Sequence, residues 1–255
     1  MSNSQRIFLD TTIQIERVTA TRTRQAKIAQ ALADGQIITS TYVLGEFLRT
    51  LVQDALVLYN MVQSTEQLYD VETKMAQLLN KRSASRCLLL WAALHRTGVY
   101  ERARVMRTLQ TYIEYGLLNR FMLGIHALLD TTACGLAHER PLLRDNIYRL
   151  RSQCTRQFKE CILTERLTEH RPALQRLADG LHNYPEPALA RMGELCRRIL
   201  SEPDVARGRN CTWRLGDLVI ALEMPADALL YTTNRRHFEP LCQLLGKQLY
   251  EPPND

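Results

Sequence analysis

Thr212-Trp213-Arg214-Leu215-Gly216-Asp217-Leu218-Val219-Ile220-Ala221-Leu222-Glu223-Met224-Pro225-Ala226-Asp227-Ala228-Leu229-Leu230-Tyr231-Thr232-Thr233-Asn234-Arg235-Arg236-His237-Phe238 is the stretch whose reading decides the fold. Its first half carries Leu215, Leu218, Val219 and Leu222 at helical spacing. Pro225 disfavours a helical residue before it, so this helix stops at Met224. Ala228-Leu229-Leu230-Tyr231 is a short apolar run of the kind a strand buried on both faces needs. Polar Thr232-Thr233-Asn234 closes it. A helix opened by Asp217 thus leads into a strand with a polar carboxyl end, where open α/β sheets bind ligands.

The same alternation opens the chain. Arg6-Ile7-Phe8-Leu9 reads as a strand ending on Asp10, and Thr11-Thr12 follows as a helix start. A helix over 24–33 stops at Asp34-Gly35, glycine being the usual C-terminal stop. Gln36-Ile37-Ile38-Thr39 is a second strand, and Ser40-Thr41 offers an N-cap for a helix that carries Glu46 and Arg49 one turn apart. After the quoted stretch, 238–245 reads as helix and 247–250 as strand. Strands alternating with helices predict an α/β fold, a parallel sheet flanked by helices. Residues 54–204 show only helix-period patterns, over 65–80, 83–97, 101–115, 118–136, 140–169, 172–181 and 187–201. The expected architecture is therefore an α/β domain built by both chain ends, 1–53 and 205–255, with an all-α helical insertion, 54–204, between them.

The 255 residues suit one large or two small domains. No run of about 18 apolar residues predicts a membrane span, and the first residues lack an apolar signal core. The expectation is a cytoplasmic protein with no membrane partner. Seven cysteines stand singly, without a C-x-x-C pair, and read as neutral thiols in a reducing compartment. A net charge of +6, much of it arginine, suits a polyanion. There is no phosphate loop, dinucleotide fingerprint, H-E-x-x-H or G-x-S-x-G.

Asp10, Glu46 and Asp217 occupy equivalent places, each beside the carboxyl end of a strand. Three carboxylates at one sheet edge repel, and a divalent cation neutralises them. Oxygen-only ligands select Mg²⁺ or Mn²⁺, which bind phosphate oxygens and acidify a water for attack on phosphorus. Taken singly, each acid also serves a structural role, as a helix N-cap or first-turn acid.

The stretches Ile7-Phe8-Leu9-Asp10-Thr11-Thr12, Ser40-Thr41-Tyr42-Val43-Leu44-Gly45-Glu46-Phe47-Leu48-Arg49, Gly216-Asp217-Leu218-Val219-Ile220-Ala221 and Leu230-Tyr231-Thr232-Thr233-Asn234-Arg235-Arg236-His237-Phe238, in this order, resemble the sequential motifs of PIN-domain nucleases, including the ribonuclease toxins of toxin–antitoxin pairs. The resemblance covers both chain ends and leaves the middle aside. It implies a parallel sheet between helices and a Mg²⁺- or Mn²⁺-dependent endonuclease, on RNA before DNA. By position, Asp10, Glu46 and Asp217 resemble the metal-binding, catalytic acids. Thr12 resembles the small polar residue that holds water, and Asn234 the polar residue after the last core strand. His237 stands where the family often has a fourth acid, and counts with Thr12 and Asn234 as accessory. Arg49, Arg235 and Arg236 are the expected nucleic-acid contacts. A homodimer and a protein inhibitor or accessory subunit are compatible partners. The histidine keeps an alternative open, a catalytically degraded nucleic-acid-binding module, and the helical part a second, a protein-interaction scaffold. Within the middle segment Arg102, Arg104, Arg107, Arg140, Arg144, Arg149, Arg151 and Arg156, interleaved with Tyr112, Tyr115, Tyr148 and Phe158, read either as a wall for phosphates and bases or as a solvated helix face.

Overall fold

The computed structural model describes residues 5–95, 98, 101–154 and 160–252. In chain order the elements are β1 (Arg6–Leu9), α1 (Thr11–Thr19), α2 (Arg22–Leu32), β2 (Gln36–Ser40), α3 (Thr41–Phe47), α4 (Gln53–Gln63), α5 (Tyr69–Ala76), α6 (Lys81–His95), α7 (Arg102–Thr111), α8 (Leu117–Met122), β3 (Ala127–Leu129), β4 (Leu142–Arg144), β5 (Ile147–Arg149), α9 (Leu163–Glu169), α10 (Arg171–Gly180), α11 (Pro187–Ser201), α12 (Arg209–Trp213), α13 (Gly216–Glu223), β6 (Ala228–Tyr231), α14 (Arg235–Leu245) and β7 (Gln248–Leu249). Among the described residues no helix is long and apolar enough to cross a membrane.

Five strands form one parallel sheet in the order β3-β2-β1-β6-β7. The first strand is therefore central, flanked by β2 on one side and by β6, from the far end of the chain, on the other. Side chains alternate across a strand. Phe8, Ile38 and Leu230 face the larger apolar core, shared with α3, α4, α13 and the middle helices. Ile7, Leu9, Ile37 and Tyr231 face a smaller core that α1 and α2 cover through Ile13, Ile28 and Ala31. Both faces are buried, which is why the strands read as unbroken apolar runs.

The predicted end elements are present: β1, β2, β6 and β7 are strands, and α13 stops at Glu223 with Met224 extended before Pro225. The middle segment departs from an all-helical reading in two places. The helix expected over 118–136 ends at Met122, because Gly124 turns the chain at φ +70°. Ala127–Leu129 then pairs in parallel with Ile38–Ser40, so residues inside 54–204 supply an edge strand of the sheet. The helix expected over 140–169 is instead a β4–β5 hairpin, followed after the undescribed residues 155–159 by α9. Asp145 and Asn146, both at positive φ, form its two-residue turn, a conformation that Asp and Asn tolerate and that matches strand twist. The arginine and aromatic residues of this segment divide between the alternatives. Tyr148 is buried and donates to Glu114, and Arg102 is spent on the carbonyls of Val62 and Gln63. Tyr115 is exposed. Arg156 and Phe158, and residues 96–97 of the predicted helix 83–97, lie outside the described residues.

Candidate active site at the carboxyl edge of the sheet

β1 delivers Asp10 directly onto the N-terminus of α1, where its carboxylate accepts from Thr11 N–H at 2.5 Å. Its other oxygen accepts from the hydroxyls of Thr12 and Thr232, each at 2.7 Å. Thr232 is the first residue after β6, so the two central strands fix one carboxylate from both sides. The Thr12 hydroxyl in turn accepts from Thr233 N–H, and that of Thr232 from Asn234 N–H. Asp10 is thus a helix cap and a buried, oriented carboxylate at once.

Glu46 rises from α3. Its carboxylate accepts from the Thr11 hydroxyl at 2.7 Å and from Arg49 at 2.5 Å. Directly after Glu46 the helix widens into a π turn over Leu48–Val52. The Glu46 carbonyl accepts from the Thr50 hydroxyl at 2.6 Å, and such insertions frequently mark functional sites. Asp217 lies in the first turn of α13. One of its oxygens accepts from Asn234 Nδ2 at 3.2 Å and pairs with His237 Nδ1 at 2.7 Å. Asn234 is the N-cap residue of α14 yet makes no side-chain cap bond; its amide is turned to Asp217 instead. Gly216 completes the approach of α13 to α3, since a Cβ there would fall on the Glu46 carboxylate.

Asp10 and Glu46 both feel the charge of Asp217. Burial, then the charge of Asp217, push the Asp10 carboxyl up to about 7, against the pull of the Thr232 and Thr12 hydroxyls. Burial also raises Glu46, opposed by Arg49 and the Thr11 hydroxyl and reinforced by Asp217. A carboxyl that titrates near neutrality in a polar site is suited to acid–base work.

Beside Asp217 and His237 opens a cavity of about 410 Å³, lined further by Arg191, Glu194 and Arg198 of α11 and by Arg214. Of the expected nucleic-acid contacts, Arg49 is paired with Glu46. Arg235 pairs with Glu251 and Arg236 with Glu186, and neither lines this cavity. The sequence does not single out Arg191, Arg198 and Arg214, nor Thr11 and Thr232 as hydrogen-bond donors to the acids. Thr232 has a readable signal, its place directly after a core strand. The arginines of α11 have none, because only packing brings that helix to the site.

The donor set, three carboxylates repelling at one edge, is the chemistry that a hard divalent ion satisfies. Arg49 already pairs with Glu46, and His237 Nδ1 already occupies an oxygen of Asp217. Among the described residues no three His, Cys, Asp or Glu side chains stand together in metal-ligand geometry. The three acids offer oxygen donors of the kind such an ion takes but are not gathered into its ligand geometry: Asp217 acts on Asp10 through its charge, and Glu46 is restrained by Arg49. No protein-family model, curated protein or solved structure matches the chain.

Proposed function

We propose that the chain is a PIN-like, divalent-metal-dependent endonuclease that hydrolyses phosphodiester bonds, with RNA as its substrate class. The observation that supports this reading is the convergence of Asp10, Glu46 and Asp217, far apart along the chain, on one sheet edge, where the charge of Asp217 raises the proton affinity of Asp10 and Glu46. Asp10 and Asp217 would hold a Mg²⁺ or Mn²⁺ ion, which would supply Lewis acidity toward a phosphate oxygen and acidify a water. The protein's own residues do the rest. Thr12 and Thr232 orient Asp10, and Asn234 and His237 orient Asp217. Arg191, Arg198 and Arg214, along the neighbouring cavity, hold backbone phosphates on either side of the bond that breaks.

A second reading, RNA binding without cleavage, is favoured by one observation: Arg49 and His237 already occupy oxygens of two of the three acids. One assay separates the two. End-labelled single-stranded RNA and DNA are incubated with the protein and Mg²⁺, Mn²⁺ or chelator. Metal-dependent products are expected from the native chain and none from Asp10→Asn or Asp217→Asn. Cleavage that survives both substitutions overturns the first reading. Salt-sensitive RNA retention with no product under any metal selects the second.

A further inference from the structure

The cavity beside Asp217 lies between α11 and the starts of α13 and α14. Its wall combines Arg191, Glu194 and Arg198 with Arg214, Asp217 and His237. Asp10 and Glu46 do not line it, so it flanks the carboxyl edge on the Asp217 side. α11 is held there from two directions. Its N-cap residue Glu186 pairs with Arg236, the neighbour of His237. Gly193 lets the helix close on the end of α10, where a Cβ would meet Leu181 at 2.9 Å. At about 410 Å³ the cavity has the size of a small-molecule site, about 300–1,000 Å³.

Its charged groups are unspent. Arg191, Glu194 and Arg198 stand three and four residues apart on one face of α11, the spacing at which opposite charges pair. Such pairs close elsewhere in the molecule, in Arg49–Glu46, Arg166–Glu169 and Arg207–Asp204. Here none does: among the described residues the side chains of Arg191, Glu194, Arg198 and Arg214 make no hydrogen bond or ion pair. All four residues are exposed. Met192 and Leu195, buried between them, give the cavity an apolar lining. Guanidinium groups only donate and a carboxylate only accepts, so the wall is divided into regions of different chemistry.

Resting on the RNA reading above, we infer that this cavity is a subsite for one unpaired nucleotide beside the phosphodiester that is cut, and that Glu194 selects guanine there. The arginines take phosphate, which the guanidinium fork matches. The face of the base lies on Met192 and Leu195, and its edge meets Glu194. Guanine alone among the four RNA bases presents two adjacent donors, N1–H and the N2 amino group, on its Watson–Crick edge, and so satisfies both carboxylate oxygens. Adenine and cytosine set a ring-nitrogen acceptor beside their amino donor. Uracil places its single N–H between two carbonyls. Each of these three turns a lone pair toward Glu194. A base held in this way is unpaired, which narrows the substrate class to single-stranded RNA.

The test measures nucleotide binding and cutting separately on the full-length chain. Guanosine 3′,5′-bisphosphate, which carries phosphate on both sides of its sugar, is titrated in chelator by calorimetry against the adenosine, cytidine and uridine compounds. The guanosine compound should bind about tenfold tighter than the others, the scale of one bidentate base contact. Glu194→Gln should abolish that preference, because the amide sets a donor against a donor of guanine. Arg198→Ala should weaken all four compounds alike. Glu194 is exposed, so its substitution empties no core. Equal affinity for the four compounds, no binding of any, or a guanine preference that survives Glu194→Gln overturns the inference. Mapping cuts in random-sequence RNA with Mn²⁺ separates the subsite from the nuclease reading. Guanine-selective binding without any cut keeps the subsite and removes the nuclease. Metal-dependent cutting with no guanine selectivity, in binding or at the cut, keeps the nuclease and removes the subsite.

Discussion

Asp10 carries two roles that oppose each other energetically. As a helix cap with three donors it is well satisfied, but as a carboxylate buried beside Asp217 it resists ionisation. Its folded value of about 7 lies above the ordinary 3.8, so between those values the native state holds a proton that the unfolded state has released. Stability therefore falls as pH rises through that window, and below it no penalty remains. The penalty at pH 8 is on the order of 4 kcal/mol. Asp10→Asn removes it, so the native chain should lose stability relative to the variant as pH rises from 4 to 7, as followed by urea unfolding in chelator. Parallel profiles for the two proteins would count against a buried, strained carboxylate. On the proposed reading, Mn²⁺ would compete with the proton for the same oxygens. It should thus raise the native melting temperature at pH 8, much less at pH 5, and not at all in Asp10→Asn.

At the scale of the element, α13 presents its N-terminus to the site, and its C-terminus is closed by a distant residue. Met224-Pro225 ends the helix with no glycine to turn back, and the last carbonyls need a partner. Lys247, just before β7, supplies it: Nζ donates to the carbonyls of Ala221 at 2.6 Å, Leu222 at 3.1 Å and Met224 at 2.5 Å. A cation there also suits the helix dipole. Lys247→Met keeps the apolar stem and should cost about 1–3 kcal/mol in urea unfolding; a change within experimental error would show that water caps these carbonyls equally well. The elements at the two chain ends are legible in the sequence because strand and helix alternate there, with punctuation at Gly35 and Pro225. Asp10, Glu46 and Asp217 are legible because each follows or faces a strand end. β3 is not legible, since Ala127–Leu129 is too short for its period to distinguish strand from helix. The β4–β5 hairpin is legible in principle, because Asp145-Asn146 between two apolar-bearing triplets is a turn signal, but the helical composition around it masks that signal.

Across the whole molecule, charge is arranged by the fold. Acids collect at the carboxyl edge, while Arg191, Arg198 and Arg214 line the cavity beside it. If these arginines hold phosphates, RNA affinity should fall linearly on a log–log plot against salt. Arg191→Ala with Arg198→Ala should then make that slope shallower by about 0.7 for each phosphate of a single strand left without its arginine. Fluorescence anisotropy with labelled RNA measures this, and an unchanged slope would remove the cavity from the binding path. The sheet order has a further consequence, one of timing. β1 lies at the centre, but one of its two partners, Ala228–Tyr231, is synthesised long after it. A nascent chain that has not reached α13 carries Asp10 and Glu46 beside a bare strand edge and lacks Asp217. A prematurely terminated product is therefore both prone to stick to its neighbours and chemically incomplete. The order of synthesis thus acts as a safety catch, since the carboxyl edge gathers its three acids only once α13 and β6 have been made.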